Sequence, residues 1–322
     1  MNRASIFIVI TLIAGLGIAS YGHHQNLVHH ALPASDLDGC YNDISRCLNK
    51  TIPDILLNHP LKEVMGLLAQ NQDDKNFFLM CHEYRITRQI GFVAAQKSND
   101  FKTTINSCNG LCYEGCYHGV TESFMAKLMP ADKQKALALC GSSNDYDSNN
   151  KFLACLYGIG RGLIQNSKDG LPAVLALCQA YAKDIEKEGC QSGVFAEAVV
   201  DSPTCAAVDS KYGKICYAFA GRHYLDSVNG NFGKAIDFCL GIPNGYQDEC
   251  VRQVSGHLVY TQTPEKLNNN CNQLKDDFKK ICINSVADYL IQRDGQLDNA
   301  NLFCSLVSME YKNECTSRLK PN

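Results

Sequence analysis

The sequence predicts an all-α fold, an α-solenoid of helix-turn-helix repeats in which a disulfide staples the two helices of each repeat. Three observations lead to this fold class. Cysteines in the second half of the chain occur in pairs of constant spacing, and the pairs recur about every 33 residues. Helix start signals, followed by apolar residues at three-to-four spacing, precede the first cysteine of each pair.

The repeat is clearest towards the end of the chain. Four successive cysteine pairs have ten residues between the partners, and their first cysteines advance by 34, 32 and 33 residues, the length of a two-helix unit. These pairs are Cys205 with Cys216, Cys239 with Cys250, Cys271 with Cys282, and Cys304 with Cys315. An aromatic residue stands four positions before each second cysteine, as Tyr212, Tyr246, Phe278 and Tyr311.

Three further units with looser spacing precede these four. Their pairs are Cys108 with Cys116, Cys140 with Cys155, and Cys178 with Cys190. We therefore expect a seven-unit array of helical hairpins over residues 100–322.

The spacing also predicts that each pair is a disulfide within one hairpin. Eleven residues of continuous helix would separate the two Cα atoms by about 16 Å. A disulfide needs roughly 4.4 to 6.8 Å, so the chain must reverse between the partners. The first cysteine is then expected at the end of helix A and the second at the start of helix B. Each such loop contributes about 3 kcal/mol to stability in the chain-entropy model.

Helix signals agree with this hairpin. Thr263, Pro264 and Glu265 match an N-cap, a first-turn proline and a first-turn acid, and they lead to Cys271. A longer apolar-rich stretch follows each second cysteine, for example residues 216–225, which the turn-forming Asn229-Gly230 closes. We therefore predict short A helices and longer B helices.

The run from Ser107 to Val120, with Cys108 and Cys116 eight positions apart, resembles the disulfide-bridged variety of Sel1-like repeat found in secreted cysteine-rich bacterial proteins. These repeats are related in architecture to tetratricopeptide repeats. The other units keep the hairpin with longer spacings. The resemblance covers about residues 100–322 and implies a right-handed α-solenoid with a concave surface. The resemblance implies no catalytic residue for this chain.

Residues 1–22 have the features of an export signal. Arg3 precedes an apolar run of 14 residues, from Ile6 to Ala19, which is short for a membrane span, and small residues follow it. The alternative is an uncleaved N-terminal membrane anchor, which would be the chain's only contact with a membrane. In both cases the body lies outside the cytoplasm, as a periplasmic, secreted or anchored protein.

Residues 23–99 are expected to form an N-terminal helical segment with a flexible, His-rich start. Helices are predicted over residues 60–69 and 74–95. Four cysteines outside the regular pairs allow three connectivities, of which we favour Cys40 with Cys47 and Cys81 with Cys112.

Composition excludes several functional classes. The net charge of -3 and the lack of any Lys/Arg-rich block argue against a nucleic-acid partner. None of the 18 cysteines lies in a C-x-x-C motif, which argues against structural zinc, thioredoxin-like and c-type haem sites. Gly158, Gly160 and Gly162 are attributed to close helix packing, since no strand precedes them as in a phosphate loop. No hydrolase, zincin or kinase signature occurs, so we expect neither a cofactor nor enzymatic activity.

Polar residues recur on the B helices. Aligning the units on the second cysteine brings six residues to nearly equivalent positions, and His118 lies one helical turn before Glu122 in the same stripe. The seven residues of the stripe are His118, Glu122, Arg161, Glu197, Arg222, His223 and His257. Because repeat arrays place equivalent residues of successive helices side by side, this polar stripe is predicted to form a groove for a protein or peptide partner.

Three alternatives stay open at this point. The stripe could consist of solvated helix faces without a ligand. His118 and Glu122, four residues apart on one helix face, could instead serve a metal-dependent envelope enzyme. The chain could also be a structural component of an envelope assembly.

Overall fold

The helices of the structure lie where the caps and the apolar periodicity of the sequence predict them. A computed structural model of the protein describes residues 46–70, 85–294 and 298–319, and none of these residues lies in a β-strand. They all belong to one compact unit, Leu32–Asn322. Residues 1–22, the His-rich start, Cys40 and Cys81 lie outside the described residues.

Before the array, a π-helical turn at Cys47–Thr51 leads into α1 (Ile52–Asn58), and α2 (Leu61–Gln70) follows. The next helix, α3 (Arg85–Lys97), is the described part of the second predicted helix. Cys47 and Cys112 are both disulfide-bonded. Because Cys40 and Cys81 are not described, the two predicted pairings that involve them stay predictions.

Seven hairpins then follow, each with a shorter A helix and a longer B helix. The A helices are α4 (Phe101–Asn106), α6 (Lys133–Leu137), α8 (Gly170–Cys178), α10 (Ser202–Ala207), α12 (Phe232–Gly241), α14 (Pro264–Cys271) and α16 (Asp298–Leu306). The B helices are α5 (Leu111–Leu128), α7 (Asn149–Asn166), α9 (Asp184–Glu197), α11 (Gly213–Ser227), α13 (Asn244–His257), α15 (Asp276–Asp294) and α17 (Met309–Arg318).

Short polar caps explain where several A helices begin. The predicted cap Thr263 accepts a hydrogen bond from the backbone N–H of Lys266, and Pro264 is the first residue of α14. Four other A helices are capped in the same way, by Asp100, Asp132, Asp201 and Asn231. Since each cap satisfies a backbone donor that the helix leaves unpaired, the caps define the A helices locally.

The seven regular cysteine pairs each form a disulfide within one hairpin, with Cα–Cα distances of 5.5 to 5.9 Å. One expectation needs correction. The second cysteine was expected at the start of helix B, but it usually lies in the second turn, as Cys250 does in α13. The first turn is occupied by the recurring aromatic residue, such as Tyr246, whose ring stacks on Tyr217 of α11 at 4.9 Å.

The B helices pack in a continuous row, in which each contacts the next from α3 to α17. Helix α3 therefore belongs to the row although it precedes the first hairpin. The row also curls, because α15 contacts α5. Since the B helices follow one another around this turn, they surround a common space.

Glycines permit the closest contacts in the row. A methyl group on Gly119 of α5 would lie 2.7 Å from the carbonyl carbon of Arg88 in α3. A methyl group on Gly193 of α9 would lie 2.8 Å from the carbonyl carbon of Tyr157 in α7. Gly158, Gly160 and Gly162 likewise face atoms of neighbouring helices, so close packing explains these glycines.

Among the described helices, none is both long enough and apolar enough to span a bilayer.

Candidate functional site

The space inside the curled row is a cavity of ≈ 1140 Å³. Helix α3 and the six B helices from α5 to α15 contribute side chains to its wall. Aromatic residues on this wall are Tyr157, Phe219, Tyr260 and Tyr289. The cations are Arg88, Arg161, Lys214, Arg222 and Lys266, and the carboxylates are Glu188, Asp226 and Glu249. The wall therefore combines aromatic surface with charges of both signs.

The structure brings the predicted polar stripe to this cavity. Five of its seven residues line the wall, namely His118, Arg161, Arg222, His223 and His257. The other two, Glu122 and Glu197, form ion pairs with arginines of the wall. Their role in binding a partner stays a prediction.

An alternating row of charges crosses four successive helices of the row, and we call it the charged belt. It consists of Arg88 on α3, Glu122 on α5, Arg161 on α7 and Glu197 on α9. Nε of Arg88 donates to the two carboxylate oxygens of Glu122 at 3.0 and 2.9 Å. Nε of Arg161 lies 2.8 Å from Oε1 of Glu122, while its Nη2 donates to Glu197.

The centre of the belt is shielded from water. Glu122 is 1% exposed and Arg161 is 3% exposed. Two buried opposite charges are tolerated only when they neutralise each other with good geometry. The belt therefore fixes α3, α5, α7 and α9 relative to one another. Three of its side chains, Glu122, Arg161 and Glu197, are predicted from the sequence only to bind a partner, and here they also hold the helices together.

Several residues of the site were missed by the sequence analysis, Phe219 and Glu249 among them, and two of the missed residues stand at an offset used in the alignment. Arg88 follows Cys81 by seven residues, and Tyr289 follows Cys282 by seven, the same offset as His223 and His257. Extending the alignment to Cys81 would have found Arg88, and including aromatic side chains at the same offset from Cys282 would have found Tyr289. Tyr289 donates its hydroxyl to Oε1 of Gln253 at 2.9 Å, and burial raises its pKa to about 12.

His118 lies beside the belt, with its ring 4.6 Å from the ring of Tyr157. Burial, together with the positive charges of Arg161 and Arg88, lowers the pKa of His118 to about 3. The imidazole is therefore neutral throughout the physiological range. Glu122, four residues on, has both carboxylate oxygens engaged by arginines, which argues against the two as joint metal ligands. Over residues 46–70, 85–294 and 298–319, no group of three or more metal-ligating side chains occurs.

The lowered pKa of His118 predicts a pH dependence of stability. As the pH falls from about 6.5 towards 3, the unfolded chain binds a proton at this position and the folded chain does not, so stability decreases. We expect His118→Phe, which keeps the ring but cannot titrate, to reduce the slope of unfolding free energy against pH by ~1 kcal/mol per pH unit in this window. Urea unfolding at a series of pH values measures the slopes. Equal slopes for the two proteins would contradict the prediction.

The α11–α13 side of the cavity has a different arrangement. Nδ1 of His223 accepts a hydrogen bond from the backbone N–H of Val200 at 3.2 Å, which ties α11 to the segment after α9. Burial and the charge of Arg222 lower the pKa of His223. Nε2 of His257 lies 3.3 Å from Oδ1 of Asp226, so this carboxylate pairs across the two helices.

Comparison with known proteins adds no relative: no family model, no curated protein and no solved structure matches the chain.

Proposed function

We propose that this chain is an exported binding protein whose cavity holds a peptide segment of a protein partner. The observation that carries the proposal is the cavity itself, to which α3 and six successive B helices contribute. Its volume of ≈ 1140 Å³ slightly exceeds the usual range for ligand sites, about 300–1,000 Å³, and therefore leaves room for several residues of a peptide. Its tyrosine and arginine side chains are the types that dominate binding energy at protein interfaces.

The same proposal includes the handedness and repeat type of the solenoid and the export of the protein from the cytoplasm. We take the array to be a right-handed solenoid related to Sel1-like and tetratricopeptide repeats, because its two-helix units recur at the length typical of those repeats. The seven hairpin disulfides favour an oxidising compartment, since disulfides persist mainly in exported proteins. The apolar N-terminal segment would supply the export signal or anchor.

A bulky residue in the cavity wall tests the proposal. Ser192 lines the cavity, and Ser317 stands at the same offset from its own second cysteine but is exposed on α17. A random peptide display library is panned against the immobilised full chain, with its disulfides intact. The affinities of the enriched peptides are then measured by calorimetry. We expect Ser192→Trp to weaken binding by about tenfold or more, because the indole occupies the space of the peptide.

Ser317→Trp is the matched control and should bind as tightly as the unchanged chain. Circular dichroism and thermal melting verify that both variants fold. Failure to enrich any peptide, or equal affinity of Ser192→Trp and Ser317→Trp, would contradict peptide binding in the cavity.

A further inference from the structure

The side chain of Tyr289 extends from α15 to α13 and forms part of the cavity wall. Its ring packs over Gly256 of α13, where a methyl group would lie 2.5 Å from Cδ2 and from Cε2 of the ring. Its hydroxyl donates to Oε1 of Gln253, also on α13, at 2.9 Å. The ring of Tyr260 stands roughly perpendicular to it, with the centroids 6.4 Å apart. Helix α13 therefore holds both the ring and the hydroxyl of Tyr289.

The hydroxyl of Tyr289 fixes the orientation of the Gln253 amide. Because Oε1 of Gln253 accepts from this hydroxyl, the two N–H groups of its Nε2 are left to donate. Over the described ranges of the chain, Nε2 of Gln253 makes no hydrogen bond to another group of the protein. Since Gln253 lines the cavity, the wall presents an oriented amide donor to a ligand.

Two carboxylates on the α11–α13 side of the wall already face cations. Oδ1 of Asp226 lies 3.3 Å from Nε2 of His257. Oε2 of Glu249 lies 3.7 Å from Nζ of Lys214 and 3.5 Å from Nε of Arg252. A ligand N–H turned towards this side would lose its water and meet carboxylates that are already paired, which is costly, whereas a ligand carbonyl would meet a donor.

Proline satisfies both conditions. It has no backbone N–H, and proline-rich segments bind to grooves lined by aromatic residues. Such a segment adopts the polyproline II conformation, which forms no internal hydrogen bonds and so leaves its carbonyls to accept from a partner. Tyr157, Tyr260 and Tyr289 line the cavity and are each partly exposed, so ring surface is available there. Because the segment is extended before it binds, ordering it costs less than ordering a flexible peptide.

We propose that the cavity selects a proline-rich segment, with one backbone carbonyl accepting from Nε2 of Gln253 and with proline rings against Tyr260 and Tyr289. This inference rests on the proposed peptide-binding function. Through its hydroxyl Tyr289 is a positioning residue, because it orients the amide that contacts the ligand. Through its ring it is part of the contact surface.

The test compares three pools of synthetic peptides, acetylated and amidated at their ends. The pools share the same randomised flanking residues and carry proline, alanine or N-methylalanine at the fixed central positions. N-methylalanine removes the N–H without supplying the proline ring. Retention on the full chain, with its disulfides intact, is quantified by mass spectrometry, and selected peptides are titrated by calorimetry.

We expect proline peptides to bind about tenfold more tightly than alanine peptides, as the cost of burying an N–H without an acceptor requires. N-methylalanine peptides should lie between the two, because they avoid that cost but lack the ring. Equal affinity of N-methylalanine and alanine peptides would show that the missing N–H does not set the preference, and would overturn the inference.

Variants of the chain locate the preference. Gln253→Leu removes the donor and should weaken the binding of proline peptides about tenfold. Tyr289→Phe keeps the ring and releases the amide, so it should weaken binding by about threefold, and this effect should vanish when Gln253→Leu is already present. Tyr224→Phe makes the same change at a residue of α11 outside the cavity wall and should leave the affinity unchanged. Equal effects of Tyr289→Phe with and without Gln253→Leu would overturn the positioning role.

The outcomes separate this inference from the proposed function. Equal binding of proline and alanine peptides that is sensitive to Ser192→Trp would overturn the inference and leave peptide binding standing. No retention of any pool would count against both. If Gln253→Leu does not fold, the comparison of the three pools on the unchanged chain still decides the preference.

Discussion

Glu122→Gln is expected to lower the free energy of unfolding by about 3–5 kcal/mol, although the two side chains have nearly the same shape. The Glu122 carboxylate accepts hydrogen bonds from Arg88 on both oxygens and carries the negative charge that faces Arg161. A glutamine has one acceptor oxygen and no charge. Because Arg161 is only 3% exposed, its buried charge would keep Glu197 as a counter-charge but lose Glu122, the one of the two that is itself buried. Urea unfolding at neutral pH, followed by circular dichroism, measures the loss.

Two further variants make this prediction specific. Asp288→Asn removes the partner of Arg318 in an ion pair between α15 and α17 in which each side chain is about one third exposed, and it should cost about 1 kcal/mol or less. The double variant Glu122→Gln, Arg161→Gln should lose less unfolding free energy than the sum of the losses of the two single variants. Each single variant leaves the other charge without this partner in the interior, and the double variant leaves neither charge there. A loss for Glu122→Gln no larger than that for Asp288→Asn would show that the belt does not stabilise the fold.

Gly193→Ala is expected to destabilise the protein by about 3 kcal/mol or more, well beyond the usual effect of one added methyl group. The methyl group would lie 2.8 Å from the carbonyl carbon of Tyr157 and 3.1 Å from the backbone nitrogen of Arg161. Backbone atoms of a neighbouring helix cannot rotate away as a side chain can, so α7 and α9 must separate. Separation would also disturb the ion pair between Arg161 and Glu197. Thermal and urea unfolding measure the change.

Gly66→Ala is the matched control within a helix. Gly66 lies inside α2, and no atom would come within 4 Å of a methyl group there. Since alanine is the better helix former, this variant should be more stable by about 1 kcal/mol. Similar effects of the two substitutions would refute the close-contact role of Gly193.

Much of the fold could be predicted because it is encoded within short stretches of chain. The constant offset between Cys239 and Cys250 admits a disulfide only if the chain reverses between them, and the same holds for the other regular pairs. Caps such as Thr263 specify helix starts through one local hydrogen bond. The point that failed, the place of the second cysteine within helix B, depends on where the first-turn aromatic residue packs, and this contact involves the preceding hairpin.

The candidate site could be predicted only in part. Alignment on the second cysteines found residues that lie at one cavity, because equivalent offsets in a repeat occupy equivalent positions in space. The alignment could not show that Glu122 and Glu197 are engaged by arginines of adjacent helices rather than available to a ligand. It also left out Arg88, since Cys81 had no place among the regular pairs.

By itself the sequence determined the helical hairpins, their seven disulfides and the set of polar residues that recur on the B helices. Each of these depends on separations of a few residues, over which helix geometry and disulfide length leave few alternatives. Only the tertiary structure decided that the row of B helices curls until α15 contacts α5. That curvature is the sum of small rotations between successive helices of the row, and it brings most of the polar stripe to the wall of a cavity.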